Sequence, residues 1–552
     1  MTTNRERRTR TVLSGVVAIV VSGLVAGALP QEAAAQSSAP SLTAGLGMTA
    51  YKQAVAEALS EDEGLAAFYR ARDFAPLWTA ADAVGAERRS ALIEALATAS
   101  DHGLPEARYD ADGLMARMAR VTGERAMGEM EIELSRTFLR FAHDLNGGML
   151  DGRRVDSGIK RPPIRVPSEA LLQAMADGEP RTVIHGIAPR TPEYAGLMRA
   201  KLELERTIAH GGWGMPVTAT RLELGDSGQQ VVSLRDRLSA MGYLKPTLTA
   251  VFDDTMRSAV SDFQADHGLA VDGIVGGSTL SAINTSPEAR LQSVLVAMER
   301  ERWLNLPEGR GKRHVFVNLV DFHAKIIDDG KVTFETRSVI GHQDPDRRTP
   351  EFSDVMSHMV INPSWYVPRS IVVKEYLPQL RRNPGAVSHL EITDRNGRRV
   401  NRGRGFSQYS AASFPFSMRQ PPGPRNALGL VKFMFPNKYN IYLHDTPSKS
   451  LFNQTQRTYS HGCIRLNDPQ DFAKALLALQ TDDPVGFFQS RLRTGAETRV
   501  NLETPVPVHL VYRTAFTTPK GHINFRNDVY GRDAKIWQAL AAEGVALGRP
   551  QS

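Results

Sequence analysis

The chain has 552 residues, a formal net charge of +7 at neutral pH, 41% hydrophobic residues and a single cysteine. That length allows three or four domains, and one cysteine excludes an internal disulfide. Arg5, Arg7, Arg8 and Arg10 against Glu6 and Glu32 give the first 35 residues +2 and leave +5 for the rest. So mild a charge, with no zinc-finger or base-stacking motif, sets nucleic acid aside as a partner.

The first element is a leader. Its basic start precedes an apolar, small-residue run from Val12 to Leu29, and Ala33-Ala34-Ala35 offers a cleavage site before Gln36. Residues 1–35 are therefore expected to be a signal peptide that exports the chain. An uncleaved anchor is the alternative, because the run is about long enough to cross a bilayer. Residues 36–47 are low in complexity and read as a flexible linker.

Residues 48–220 carry apolar side chains at three- and four-residue spacing in Tyr51–Ala71, Arg88–Ser100 and Met130–Leu145, where Leu134, Phe138 and Phe141 share a face. No catalytic constellation accompanies them, and the stretch reads as a helical scaffold. Residues 221–285 form a smaller unit. Gly225-Asp226-Ser227-Gly228 is a turn suited to capping a helix. The next helix stripes Val231, Leu234, Leu238 and Met241, and Gly242 stops it. A second helix from Asp253 groups Met256, Val260 and Phe263, and a third spans Ser278–Asn284. With Phe263-Gln264 and Val271-Asp272-Gly273, the unit resembles the peptidoglycan-binding domain family, which implies affinity for cell-wall glycan or peptide. Residues 286–312 are expected to return as helix to the scaffold.

From 313 the period changes to that of strands. Val315, Val317 and Leu319 alternate with Phe316 and Asn318, and Asp328-Asp329-Gly330-Lys331 predicts a hairpin. Ser357–Asn362, Leu428–Phe435 and Asn440–His444 read as further strands. Between them, about 369–425 is rich in Arg, Pro, Gly and Ser and reads as a capping insertion or lid. The mostly-β catalytic domain is assigned to 313–540.

Within it, Cys463 lies in Ser460-His461-Gly462-Cys463-Ile464-Arg465, 19 residues after His444. Sulfur and imidazole together suffice for covalent acyl transfer. A neighbouring imidazolium is expected to lower the thiol from about 8.5. His444 is the expected base, arriving at a strand end, while His461 shapes the turn and meets substrate or oxyanion. The N–H groups of Gly462 and Cys463 are candidate oxyanion donors, with the Tyr442 hydroxyl nearby. Arg465 suits a substrate carboxylate, and Ser460 a hydrogen bond within the loop. A zinc site from His444, His461 and Cys463 lacks a fourth ligand. A papain-type order would place the cysteine before its histidine, the reverse of this chain.

These residues resemble the L,D-transpeptidase family, with its YkuD-type catalytic domain, in the long form that adds a scaffold and a peptidoglycan-binding domain. Supporting stretches are Tyr69–Trp78, Asn362-Pro363-Ser364-Trp365, Tyr442-Leu443-His444-Asp445-Thr446-Pro447 and Val529-Tyr530-Gly531-Arg532-Asp533. Asp445 stands where shorter members have glycine. The resemblance implies a multidomain chain: helical scaffold, small three-helix wall-binding domain, and mostly-β catalytic domain with a capping insertion. It implies Cys463 attack on a tetrapeptide stem, release of D-Ala, a thioester, and a 3→3 cross-link, with no cofactor or metal and with carbapenems as acylating inhibitors. Hydrolysis by the same fold, as an L,D-carboxypeptidase or cross-link hydrolase, attachment of a lipoprotein to the wall, and a non-catalytic wall-binding role are the alternatives. The expected location is the periplasm, against the wall, in transient contact with other cell-wall enzymes.

Overall fold

The computed structural model describes residues 49–59, 62–518 and 522–547. The leader and the linker at 36–47 lie outside the described residues. Among the described residues no helix is long and apolar enough to cross a membrane.

The N-terminal region is helical. The Tyr51–Ala71 pattern divides into helices Ala50–Ala58 and Glu63–Ala71, the second begun by the Asp62 carboxylate, which accepts the Leu65 N–H. The long helix Glu124–Gly147 buries Leu134, Phe138 and Phe141 as its spacing predicts. Trp78 and Tyr69 are fully buried against it. The Tyr69–Trp78 stretch wraps one buried carboxylate: Glu131 accepts from the Tyr69 hydroxyl, from the N–H groups of Leu77, Trp78 and Thr79, and from the Thr79 hydroxyl. Glu131→Ala orphans these buried donors together. It is expected to cost about 3 kcal/mol, read as a lower urea midpoint with an unchanged slope.

The next unit packs helices Gln229–Ala240, Asp254–Asp266 and Gly277–Ile283 around Val231, Leu238, Phe252, Val260 and Phe263. Two short strands, β1 (Arg221–Leu222) and β2 (Val275–Gly276), pair antiparallel beside them. Asp253 caps its helix through the Met256 N–H. The expected cap at Gly225–Gly228 does not form: Gly228 caps without a side-chain bond, and the Asp226 carboxylate accepts the Glu223 N–H. Gln264 ties the helix to the Val271-Asp272-Gly273 turn, its Oε1 accepting the N–H groups of Asp272 and Gly273.

Helix Pro287–Arg302 returns to the scaffold core through Leu291, Val294, Leu295 and Met298. Its last turn carries a buried ionic network into the catalytic domain. Arg300 meets Glu351 and Asp533, Arg302 meets Glu299, and Glu301 meets Arg310 and Arg513. Arg532 adds a second bond to Glu351.

The C-terminal domain is built on a nine-stranded sheet. Its first strands are β3 (Arg313–Asn318), β4 (His323–Asp328), β5 (Lys331–Gly341) and β6 (Phe352–Ile361), and five more follow the insertion. The predicted hairpin joins β4 to β5 with Asp329 and Gly330 both at positive φ, as a two-residue turn of this hand requires. The insertion holds β7 (Trp365–Tyr366), β8 (Glu391–Thr393) and β9 (Ser417–Gln420), paired in the order β7-β9-β8. It has its own core of Ile371, Leu380, Ile392, Phe406, Phe414 and Met418. It therefore starts a few residues before 369 and is a folded subdomain.

The remaining strands are β10 (Val431–Met434), β11 (Leu443–His444), β12 (Thr458–Ser460), β13 (Ile464–Leu466) and β14 (Thr498–Val511). The order is β12-β5-β13-β11-β10-β6-β14-β3-β4, and β5 also pairs with β4. The long β5 thus closes the sheet on itself. Beyond β14 the chain also returns to the helical core. The hairpin β15 (Ala515–Thr517) with β16 (Ile523–Phe525) and the helix Arg532–Ala542 bury Ala515, Phe525, Ile536 and Leu540 in the helical core.

Candidate active site

Two adjacent parallel strands bring the predicted pair together. β11 pairs with β13 in the register Leu443↔Ile464 and His444↔Arg465, so Cys463 sits at the entry to one strand and His444 at the end of the other. Both line a cavity of about 1200 Å³ that residues of the capping subdomain also line. Tyr442, Ser460, His461 and Arg465 line it too, with Trp365 and Tyr366 from the cap.

The cysteine loop is held by named bonds. Gly462 has φ +113, a conformation that favours glycine, and an added Cβ would stand 3.2 Å from Ile441 Cδ1. Ser460 Oγ donates to the Cys463 carbonyl at 2.5 Å and accepts the Gly462 N–H at 3.1 Å. The Gly462 N–H is therefore taken by the loop, which corrects its expected oxyanion role. The Cys463 N–H has no acceptor among the described residues, which leaves it a free backbone donor beside the sulfur. Thr349 Oγ1 donates to the Gly462 carbonyl and accepts the Gly341 N–H, and the Tyr530 hydroxyl donates to the Gly341 carbonyl. The Val529–Asp533 tail thus braces the nucleophile loop from behind.

The Cys463 thiol donates to the Asn440 carbonyl at 3.4 Å. Its enclosure pushes it up to about 11, against hydrogen bonds from Tyr442 and the nearby Arg465 and Lys432 charges. His444 is buried, and burial, then Arg465 and Lys432, push its imidazole down to about 3. At neutral pH the resting site therefore holds a neutral thiol and a neutral imidazole, where a thiolate–imidazolium pair was expected. His444 Nδ1 bonds the Asp445 carbonyl, which can only accept. The ring proton is thus on Nδ1, and Nε2 is left as a base with no partner among the described residues. Asp445 fixes that carbonyl: its carboxylate accepts the N–H groups of Leu430 and Thr446 and pairs with Lys449.

Arg465 is largely enclosed, has no ion pair or hydrogen bond among the described residues, and keeps a buried Nε without a partner. A desolvated guanidinium on a cavity wall is a ready carboxylate site. His461 does something not foreseen. Its Nε2 meets Glu375 of the cap at 2.5 Å, and Glu375 also pairs with Arg347. Lys374 pairs with Asp346 beside them, so charged contacts pin the cap to the rim of the sheet. Both cap residues lie in a short π-helical turn, Val372–Tyr376. Asn362, from the Asn-Pro-Ser-Trp stretch, is structural: at φ +52 its side chain donates to the Leu492 carbonyl. Among the described residues no group of three or more His, Cys, Asp or Glu is placed to hold a metal ion.

A thiol, an imidazole with one free nitrogen, an unused backbone N–H and an unpaired guanidinium around one cavity form the kind of centre that acyl transfer needs. Residues 312–508 match the family model described as "L,D-transpeptidase catalytic domain". Residues 63–200 match the "Scaffold domain" and 227–283 the "Putative peptidoglycan binding domain". The chain is similar to a "Putative L,D-transpeptidase" of Haemophilus influenzae, 31% identical over 260 residues, which are 46% of this chain and 51% of that one. It thus spans about half the length of that curated relative. Crystal structures of L,D-transpeptidases from Xylanimonas cellulosilytica and Stackebrandtia nassauensis each overlap 54% of this chain at 14% identity. They are covered over 100% and 97% of their own lengths, with TM-scores of 0.18 and 0.21.

Proposed function

We propose that the protein is a cysteine L,D-transpeptidase that cross-links peptidoglycan stems 3→3. The observation that carries this reading is the shared cavity of Cys463, His444 and the unpaired Arg465. Cys463 Sγ attacks the carbonyl joining the L-centre of a diamino acid to the terminal D-Ala, and its proton passes to His444 Nε2. The new oxyanion is met by the Cys463 N–H. The C–N bond breaks, Nε2 returns the proton to the leaving amine, and a thioester remains. The side-chain amine of a neighbouring stem then attacks, gives its proton to Nε2, and expels the thiol, which takes it back. The broken peptide bond supplies the energy, so no cofactor takes part.

His461, Tyr442, Ser460 and Gly462 support this centre: His461 through the cap, Tyr442 beside the sulfur, Ser460 and Gly462 within the loop. The match to a peptidoglycan-binding domain supports a location at the peptidoglycan, outside the cytoplasm. Carbapenems are expected to acylate Cys463. The test is mass spectrometry of products from a disaccharide-tetrapeptide. A dimer lacking one D-Ala supports transfer, whereas a tripeptide alone makes the protein a carboxypeptidase.

Arg465 would receive a stem carboxylate. Arg465→Met is expected to lower kcat/KM roughly thirtyfold, the loss of one charge-assisted contact. A stem whose carboxylates are amidated should react equally slowly with both proteins.

A further inference from the structure

One rung of the sheet crosses the active site with an unusual composition. Opposite partners on adjacent strands share a face. Arg499↔Val360, Val360↔Lys432, Lys432↔His444, His444↔Arg465 and Arg465↔Val339 are such partners from β14 to β5. His444 therefore stands between a lysine and an arginine. Like Arg465, Lys432 has neither ion pair nor hydrogen bond among the described residues, and it is half-buried. It is not among the residues lining the cavity. An ammonium held without a counterion costs free energy unless a negative charge appears near it.

We propose, resting on the function above, that Lys432 is a positioning residue whose charge stabilises the anion formed as Cys463 gives up its proton to His444. The surroundings are consistent with that role. Glu497, the acidic group closest in effect to Lys432, is exposed and makes no ion pair with it among the described residues. His358 and the exposed Arg499 lie on its other side. Around His444 the charged neighbours are Arg465 and Lys432, and the Tyr442 ring is 5.7 Å from the imidazole. The Asp445 carboxylate is engaged by Lys449. Cys463 faces Tyr442, Arg465 and Lys432. The carboxylates in this set are either engaged, as Asp445 is, or exposed, as Glu497 is. A cation here favours negative charge on the sulfur.

The experiment follows alkylation of Cys463 by uncharged iodoacetamide across pH, by intact mass, in wild type, Lys432→Met, Lys432→Gln and Lys432→Arg. Losing the charge should move the alkylation midpoint up by about one pH unit and slow the reaction at pH 9 about tenfold. Lys432→Arg should restore most of the rate. With stem peptide, Lys432→Met should lower kcat and leave KM unchanged. Wild-type midpoints in both Met and Gln variants would overturn the proposal, as would an Arg variant no better than Met. If Met does not fold, Gln decides. Because alkylation needs no stem peptide, a shifted midpoint in a protein that turns over no stem upholds Lys432 and removes the transpeptidase reading alone.

Discussion

Cys463→Ala is expected to reduce transfer to background, a loss on the order of a millionfold. Neither hydroxyl beside the sulfur can replace it. Ser460 Oγ is committed to the Cys463 carbonyl, and burial raises the Tyr442 hydroxyl well above its usual range. The fold should survive. The cysteine is half-buried, its thiol makes one weak bond to Asn440, and the loop is held by Ser460, Gly462 and Thr349. Turnover of disaccharide-tetrapeptide by the variant, with a melting temperature within about 2 °C of wild type, is the measurement. Turnover near the wild-type rate would mean the chemistry lies elsewhere.

His444→Ala is expected to cost about a thousandfold in kcat, the usual contribution of a positioned base. Its pH dependence follows from the direction of the shift. The imidazole is depressed from 6.5 to about 3, so the base stays free down through pH 5 and is lost only as pH falls toward 3. The thiol is raised to about 11, so it reacts as a neutral group handing its proton over during attack. Acylation should therefore be nearly flat from pH 5 to pH 9. The second half-reaction should not be, because the acceptor amine must be unprotonated to attack, and an alkyl amine titrates near about 10.4. The ratio of cross-link to hydrolysis should rise with pH. An acylation rate that falls tenfold between pH 7 and pH 5.5 would contradict the neutral, buried base.

Local chemistry made much of the site legible. A lone cysteine in a Ser-His-Gly-Cys box, a histidine ending an apolar strand, and an Asp-Gly hairpin each declare themselves within a few residues. The three helices of the wall-binding module do the same through spacing. What stayed hidden depends on pairing across distance. Lys432 looks like any surface lysine of a strand until the register sets it beside His444. Glu299 to Arg302 are four charged residues in a row, yet they are buried because Glu351, Arg513 and Asp533 arrive from far along the chain. The Glu375–His461 contact needs the cap folded over the sheet. The Gly462 N–H could be spent on Ser460 or offered to substrate, and only the loop's geometry decides.

A single intact-mass measurement addresses the covalent step itself. Protein mixed with tetrapeptide stem and quenched within seconds should gain the mass of the stem less D-Ala, and the peptide bearing the adduct should contain Cys463. Products that accumulate while the protein keeps its unmodified mass, or an adduct on any other side chain, would contradict the account.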